Sequence, residues 1–245
     1  MPSSSPALVV NRLIDSLPAI ARKRFLEKCT QEKLVFGESK CTAGIPMANV
    51  FFPLTGFISL VAPMDGHEPL EIGIVGNEGM LGATLALGID AAPTDSVVQG
   101  SGTALRMTSL QFHRQLKQNP GLQRTINRYL YLQIEQLARI AACNSFHDVM
   151  ARLSRWLLLT HDRAHNESFQ LTHQFLADML GVRRSAVTIA AGELRRRNLI
   201  RYARGRIRVI SRKGLESAAC ECYAAGIDAY DQYLPVKISD SGSRS

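Results

Sequence analysis

The stretch Leu171-Thr172-His173-Gln174-Phe175-Leu176-Ala177-Asp178-Met179-Leu180-Gly181-Val182-Arg183-Arg184-Ser185-Ala186-Val187-Thr188-Ile189 decides the reading of the chain. Its spacing predicts two short helices joined by a tight turn. Thr172 is a capping residue type just ahead of the first helix, and Leu176 and Leu180 recur four apart on one face. Ala177 is small where two helices must cross closely, and Gly181 permits left-handed backbone in the turn. Val182 and Val187 close the core beneath the second helix. That helix then presents Arg184, Ser185 and Thr188 outward at its N-terminal end, where a helix of this kind meets base edges in a major groove.

Downstream, after Asn198-Leu199-Ile200, the run Arg201-Tyr202-Ala203-Arg204-Gly205-Arg206-Ile207-Arg208-Val209 reads as a basic hairpin turning at Arg204-Gly205. From Phe169 onward the order is therefore strand, helix, turn, helix, two strands, which is a winged helix. The charge agrees with it. Residues 1–145 carry 13 Lys/Arg and 11 Asp/Glu, a net of +2, whereas residues 183–213 carry 11 basic residues against the single acid Glu193, a net of +10. The block is interleaved with helix and strand patterns, so a phosphate-binding face is favoured over a solvated, self-repelling tail. Thr172, Gln174, Arg183, Arg204 and Arg206 are the expected phosphate contacts, which position the helix without reading sequence.

Upstream, Val149, Leu153, Trp156 and Leu157 give an amphipathic helix to about Arg163, preceded by a break at Asn144-Ser145-Phe146 that reads as a hinge. Asn119-Pro120 starts a long helix with no Gly or Pro between Leu122 and Cys143. Ile126, Leu130, Ile134, Leu137 and Ile140 form an apolar stripe along it. Some 24 residues at 1.5 Å each span roughly 36 Å, more than a small barrel needs to cover itself, so the stripe is expected to be a dimer seam; packing on its own barrel is the other use. Between Leu34 and Met107 short apolar runs alternate with Gly, Pro and Asp, including an Asp65-Gly66 hairpin turn, and predict a small roll of many short strands. Residues 8–30 predict two short helices separated at Pro18.

The chain has 245 residues, with 46% hydrophobic and 20% charged, which excludes disordered, collagenous and low-complexity classes. No apolar run is long enough for a membrane span, and the start lacks the pattern of a signal peptide, so a cytoplasmic location is expected. Five scattered cysteines predict reduced thiols rather than a disulfide scaffold.

These motifs resemble the cyclic-AMP receptor/fumarate-nitrate regulator (Crp/Fnr) family of bacterial transcription factors over about residues 10–215, most specifically in the last 70 of them. The resemblance implies an α+β chain: a cyclic-nucleotide-binding-like sensor roll (10–118), a dimerisation helix (119–145) and a winged helix (146–216); beyond it, residues 217–245 read as a short helix, from Glu216 to about Tyr233, and a polar tail. It implies a homodimer on double-stranded DNA, with RNA polymerase as a further candidate partner. Departures from the family pattern are informative. The family's recognition helix offers Arg, then Glu, then a second Arg four residues on; here only Arg184 matches, with Ser185 and Ile189 at the other two places, so Ile189 is expected to meet a thymine methyl rather than a guanine. Cyclic-AMP binders use Gly-Glu-Leu followed by Arg-Ser-Ala or Arg-Thr-Ala. Here Gly79-Met80-Leu81-Gly82 has Met for Glu, and the following segment around Thr94-Asp95-Ser96 has no Arg. Leu137 and Ala138 replace hydroxyl residues on the long helix. By this correspondence the effector pocket would involve Gly79, Met80, Leu81, Gly82, Leu137 and Ala138, and cyclic AMP is disfavoured. An apolar ligand, another nucleotide or no ligand remain open.

No cofactor or metal site is expected. Cys29 and Cys41 are isolated, Cys220-Glu221-Cys222 lacks a second pair or neighbouring His in sequence, His161 and His165 lack a third ligand, and His147-Asp148 reads as a helix start. An enzyme of cupin type would need a His/Glu set on its strands, and His67, Glu68 and Glu71 lack the inward spacing. A non-specific architectural nucleic-acid binder is the nearer alternative to a site-specific regulator.

Overall fold

The computed structural model describes residues 10–66, 69–164, 168–203 and 205–235. His67, Glu68, Arg204, His165 and the tail Ser239–Ser245 lie outside them. Two short helices, α1 (Arg12–Asp15) and α2 (Ala19–Leu26), lead into five antiparallel strands: β1 (Thr30–Leu34), β2 (Ser39–Cys41), β3 (Asn49–Ala62), β4 (Leu70–Val75) and β5 (Asp95–Thr108). The sheet order is β1-β5-β3-β4, with β2 also on β5. The apolar runs at Val50–Phe52 and Phe57–Val61 are one strand rather than two: β3 and β5 are each 14 residues long and stay paired through successive register shifts between Pro53 and Ile58. Asp65 and Gly66 turn between β3 and β4.

The roll fills with aromatics. Phe25 of α2 meets Phe52 edge-on at 5.3 Å, and Phe52 meets Phe112 of α3 (Ser109–Gln118) at 6.2 Å. Ile20 and Leu26 of α2 are exposed, and this short helix buries only Phe25.

Helix α4 (Pro120–Phe146) begins with the Asn119 side chain accepting from the Leu122 amide and Pro120 in the first turn. It runs through the expected break, and the chain bends at His147-Asp148 instead. Asp148 then caps α5 (Val149–Ala164) by accepting from the Ala151 amide at 2.8 Å. Helix α5 is buried nearly all round, because the roll lies on one side of it and the C-terminal domain on the other. Its core contacts are mixed: Phe57 and Ile74 of the roll share a cluster with Trp156 and Leu157.

The C-terminal domain comprises β6 (Ser168–Gln170), α6 (His173–Leu180), α7 (Arg184–Arg196), β7 (Ile200–Ala203) and β8 (Arg206–Val209), with the sheet ordered β6-β8-β7. Beyond it lie two helices where one was expected, α8 (Arg212–Ala218) and α9 (Cys222–Tyr233), broken at Ala219–Glu221. Helix α9 returns to α4 and the roll. Its C-terminal carbonyls are capped by the Arg12 guanidinium, which donates to Leu234 O, to Tyr230 O at 2.9 Å and to the Asp231 carboxylate at 2.7 Å.

Candidate nucleic-acid interface

Local chemistry builds the helix pair. Thr172 Oγ1 accepts from the Phe175 amide at 3.1 Å, and Gly181 ends α6 at φ 62°, where a side chain would be strained and its Cβ would lie 2.9 Å from Leu70 Cδ1. Leu176, Ala177, Leu180 and Val187 are buried between the two helices. The remaining face of α7 points to solvent. Arg183, Arg184, Ser185, Thr188 and Ile189 line this outer side, with Ile189 exposed at 74%.

The arginines divide into two groups. At the far end of α7, Arg196 is held by Glu193 at 2.7 Å and 2.8 Å, and on α8 Arg212 pairs with Asp162 and Glu216. Among the described residues Arg183, Arg184 and Arg206 have no carboxylate within ion-pair distance, and neither have Arg195 and Arg197 at the far end of α7, so uncompensated charge lies at both ends of the helix and on the wing. The positive end of the α7 dipole adds to it at the N-terminus. Gln174 is exposed but donates to Asp178 at 2.7 Å within its own helix.

Thr188 is less free than its position suggests. Its hydroxyl donates back to Arg184 O at 3.0 Å and lies 3.0 Å from His173 Nδ1, and the His173 ring stacks on Tyr202 of the wing at 4.4 Å. His173 thus joins first helix, recognition helix and wing; sequence alone does not mark it, because its partners, Thr188 and Tyr202, come from two other segments. Burial and then the Arg184 charge hold its imidazole below the usual pKa, so it stays neutral near pH 7.

The sensor side departs from expectation in two places. Met80 and Leu81 are core residues, and Gly79 packs so closely on the Tyr129 ring that a Cβ there would lie 2.4 Å from its hydroxyl oxygen, which donates to Met80 O at 3.1 Å. The segment Gly79–Gly82 therefore packs into the core and does not line the cavity between β4 and α4. That cavity lies one layer away. It measures about 540 Å³ and is walled by Leu60, Ile72, Ile74, Leu130, Ile134 and Leu137 among others; of the six expected pocket residues only Leu137 lines it, and Ala138 faces solvent. The second departure concerns the seam. Ile126 is fully buried in the roll and Leu130 is half-buried against it, while Tyr131, Ile134, Leu137, Ala138 and Ala141 make up the exposed face. Ile126 is thus lost to a dimer seam, because α4 is apolar on two faces and the inner one belongs to its own barrel.

Two side chains of α5, Trp156 and Arg163, tie the roll to the domain beyond the hinge. Trp156 Nε1 of α5 donates to Glu71 Oε1 of β4, Ser59 Oγ donates to the other oxygen at 2.6 Å, and Arg163 Nε donates to Glu78 at 2.8 Å. Burial pushes the Glu71 carboxyl up to about 7, against the hydrogen bonds and the charges of Arg155 and Arg163, which favour the carboxylate.

Comparisons with known proteins agree with this geometry. Residues 151–218 match the model of the Crp-like helix-turn-helix domain. No curated protein matches the chain by sequence. Among solved structures it is similar to the c-di-GMP-responsive global regulator CLP of Xanthomonas campestris (TM-score 0.63, 18% identity, 79% of this chain and 100% of that one). It is similar also to a Crp/Fnr-family transcriptional regulator from Eubacterium rectale (0.65, 12%, 84% and 96%) and to a CRP/FNR-family regulator from Thermus thermophilus (0.63, 21%, 78% and 98%). Among the described residues no helix is long and apolar enough to cross a membrane. The chain carries a Crp-like helix-turn-helix domain within the fold of the Crp/Fnr-family transcription regulators.

Proposed function

We propose that the chain is a homodimeric, sequence-specific transcription regulator whose sensor cavity takes an apolar ligand rather than a cyclic nucleotide. The observation that carries the DNA reading is the exposed N-terminal half of α7, where Arg183 and Arg184 stand without a carboxylate partner beside Ser185 and Ile189, while the acid on the same helix, Glu193, is held by Arg196. In this reading Arg184 bonds a guanine edge, Ile189 lies against a thymine methyl, and Thr188, held by His173, orients Arg184 more than it reads a base. Ser185 is a second base-edge contact. Thr172, Arg183 and Arg206 contact phosphates, with Arg204 and, after leaving Asp178, Gln174.

The exposed face of α4, with Ile134 at its centre, serves as the two-fold seam, so residues 119–145 couple two sensor rolls (10–118) and two winged helices (146–216). The cavity beside that face supports the ligand reading. Among the described residues no Lys, Arg, Asp or Glu lines it, so a cyclic phosphate or dinucleotide would enter without a guanidinium to offset its charge. Ligand in this cavity touches α4 and β4 together and biases the hinge through their relative position.

The test is the affinity of the purified protein for a specific duplex and for random DNA across a range of salt. A specificity ratio of about 10³ or more is the expected outcome; equal affinities with a steep salt slope would instead identify a non-specific binder.

A further inference from the structure

Cys143, His147, Cys220 and Cys222 come from two places 77 residues apart and meet at the hinge. Cys143 lies in the last turn of α4 and His147 caps that helix one turn later, so both face the same side. Cys220 and Cys222 sit either side of Glu221 where the chain passes from α8 into α9. Cys143 Sγ and Cys220 Sγ are 3.6 Å apart, Cys222 Sγ and His147 Nδ1 are 3.7 Å apart, and all four ligand atoms lie within 4.8 Å of one another. A tetrahedral zinc ion with bonds of about 2.3 Å to sulfur and about 2.0 Å to nitrogen has sulfur–sulfur edges of about 3.8 Å and sulfur–nitrogen edges of about 3.5 Å. Two of the six edges already stand at that spacing, and the other four lie within 4.8 Å, so a small closure of the side chains completes the tetrahedron. An iron–sulfur cluster distributes its ligands over several irons with sulfides between, and needs a wider cage.

The surroundings fit a metal as well as the ligands do. His147 Nε2 is 3.1 Å from the Glu221 carboxylate, which holds that nitrogen protonated and leaves Nδ1 as the lone-pair donor toward Cys222. The three cysteines are buried and His147 is half-buried, which gives an inner sulfur cage with one solvent-facing wall through which an ion can enter. Three thiolates on a divalent ion leave one negative charge, and the buried Arg152 and Arg155 guanidiniums beside the cluster offset it; the Nε of each is without a hydrogen-bond partner.

We propose that Cys143, His147, Cys220 and Cys222 form a closed, four-ligand zinc site that clamps the end of α4 to the start of α9 across the hinge. Four protein ligands make it a site of the structural kind, with no open position for catalysis. Loading fixes the chain on both sides of the DNA-binding domain, and removal of the ion frees the His147-Asp148 bend.

The experiment uses the full-length protein purified under reducing conditions. Elemental analysis is expected to find one zinc per chain. Cobalt(II) replacing it is expected to show the intense visible bands of tetrahedral coordination together with thiolate-to-cobalt charge transfer. Cys220→Ser and His147→Ala should each lower zinc affinity by about a hundredfold in competition with a chelator, and Cys29→Ser and Cys41→Ser should leave it unchanged. Because a ligand variant can fail to fold, the wild-type measurement stands by itself. Reduced, folded wild-type protein that takes up neither zinc nor cobalt overturns the proposal. Recovery of a Cys143–Cys220 disulfide, with no metal uptake after its reduction, overturns it in favour of a thiol pair.

Discussion

The indole nitrogen of Trp156 donates to Glu71 Oε1 at 2.6 Å, joining the helix that follows the hinge to the sensor sheet. Glu71 is buried, and its two oxygens are engaged by residues from opposite sides of the domain boundary. The position of the DNA-binding domain is thereby linked to a titratable group.

The pH dependence follows from that group. Its carboxyl rises from an ordinary 4.5 to about 7 in the folded chain, so between those values the folded state holds a proton that the unfolded state has released. Stability should therefore fall as pH rises from about 4.5 to about 7 and level off above, by an amount on the order of 3 kcal/mol. Glu71→Gln keeps an oxygen that can accept from Trp156 and an NH2 that can donate to the Ser59 hydroxyl oxygen, but cannot ionise. Denaturation midpoints measured from about pH 5 to about pH 8, the span over which this linkage acts, should lose the falling limb in the variant; an unchanged profile would assign the dependence elsewhere.

Arg184 and Arg206 should fail in different ways. Arg184→Ala is expected to cost about 1 to 3 kcal/mol on the specific site and to relax one base position, whereas Arg206→Ala should weaken all sequences alike and reduce the salt slope by about 1. Fluorescence titration on matched and single-base-changed duplexes separates the two. Equal losses on every sequence for both variants would remove Arg184 from base reading.

Ile134 and Ile126 lie on the same helix but should respond differently to the same change. Ile134 is 67% exposed and Ile126 is fully buried. Ile134→Asp should weaken the dimer by about 2 kcal/mol or more while the fold is retained, and Ile126→Asp should unfold the sensor roll. Sedimentation together with circular dichroism reads both. A dimer untouched by Ile134→Asp would place the seam elsewhere.

Tyr129→Phe keeps the ring that packs on Gly79 and loses the hydrogen bond to Met80 O and the one accepted from Gln133 Nε2, a cost of about 1 to 2 kcal/mol. Gly79→Ala should be worse, since its Cβ overlaps that ring and neither Gly79 nor buried Tyr129 has room to shift. Thermal unfolding ranks them; the reverse order would contradict the packing described.

What sequence revealed and what it hid divide along the range of the interactions. The helix-turn-helix was legible because its determinants are local: a capping Thr172, a left-handed Gly181 and apolar residues at helical steps all act within a few residues of one another. The roll was legible as strands but not as long ones, since register shifts that keep β3 continuous leave no mark in an apolar pattern. Periodicity showed that α4 is apolar without showing what lies on either side, and so Ile126 and Ile134 fell on one stripe. Helix α5 read as amphipathic, yet Arg152, Arg155 and Arg163 are buried because two domains enclose it. The Cys220-Glu221-Cys222 pair was visible as half a ligand set, whereas His147 read as a helix start and Cys143 as a helix residue. They join only because α9 folds back on α4, a contact encoded by Tyr131 against Tyr233 and by Arg12 capping the helix end.

The central claim is that α7 reads DNA sequence as part of a two-fold pair. The most direct measurement is selection from a random duplex pool by the purified full-length protein with no small molecule added, sequenced over successive rounds, and repeated with Arg184→Ala. The account predicts enrichment of a two-fold-symmetric site with half-sites about one helical turn apart, and loss of preference at one position of each half-site in the variant. A pool that stays random while the folded protein retains it, or an asymmetric single site, would contradict the claim.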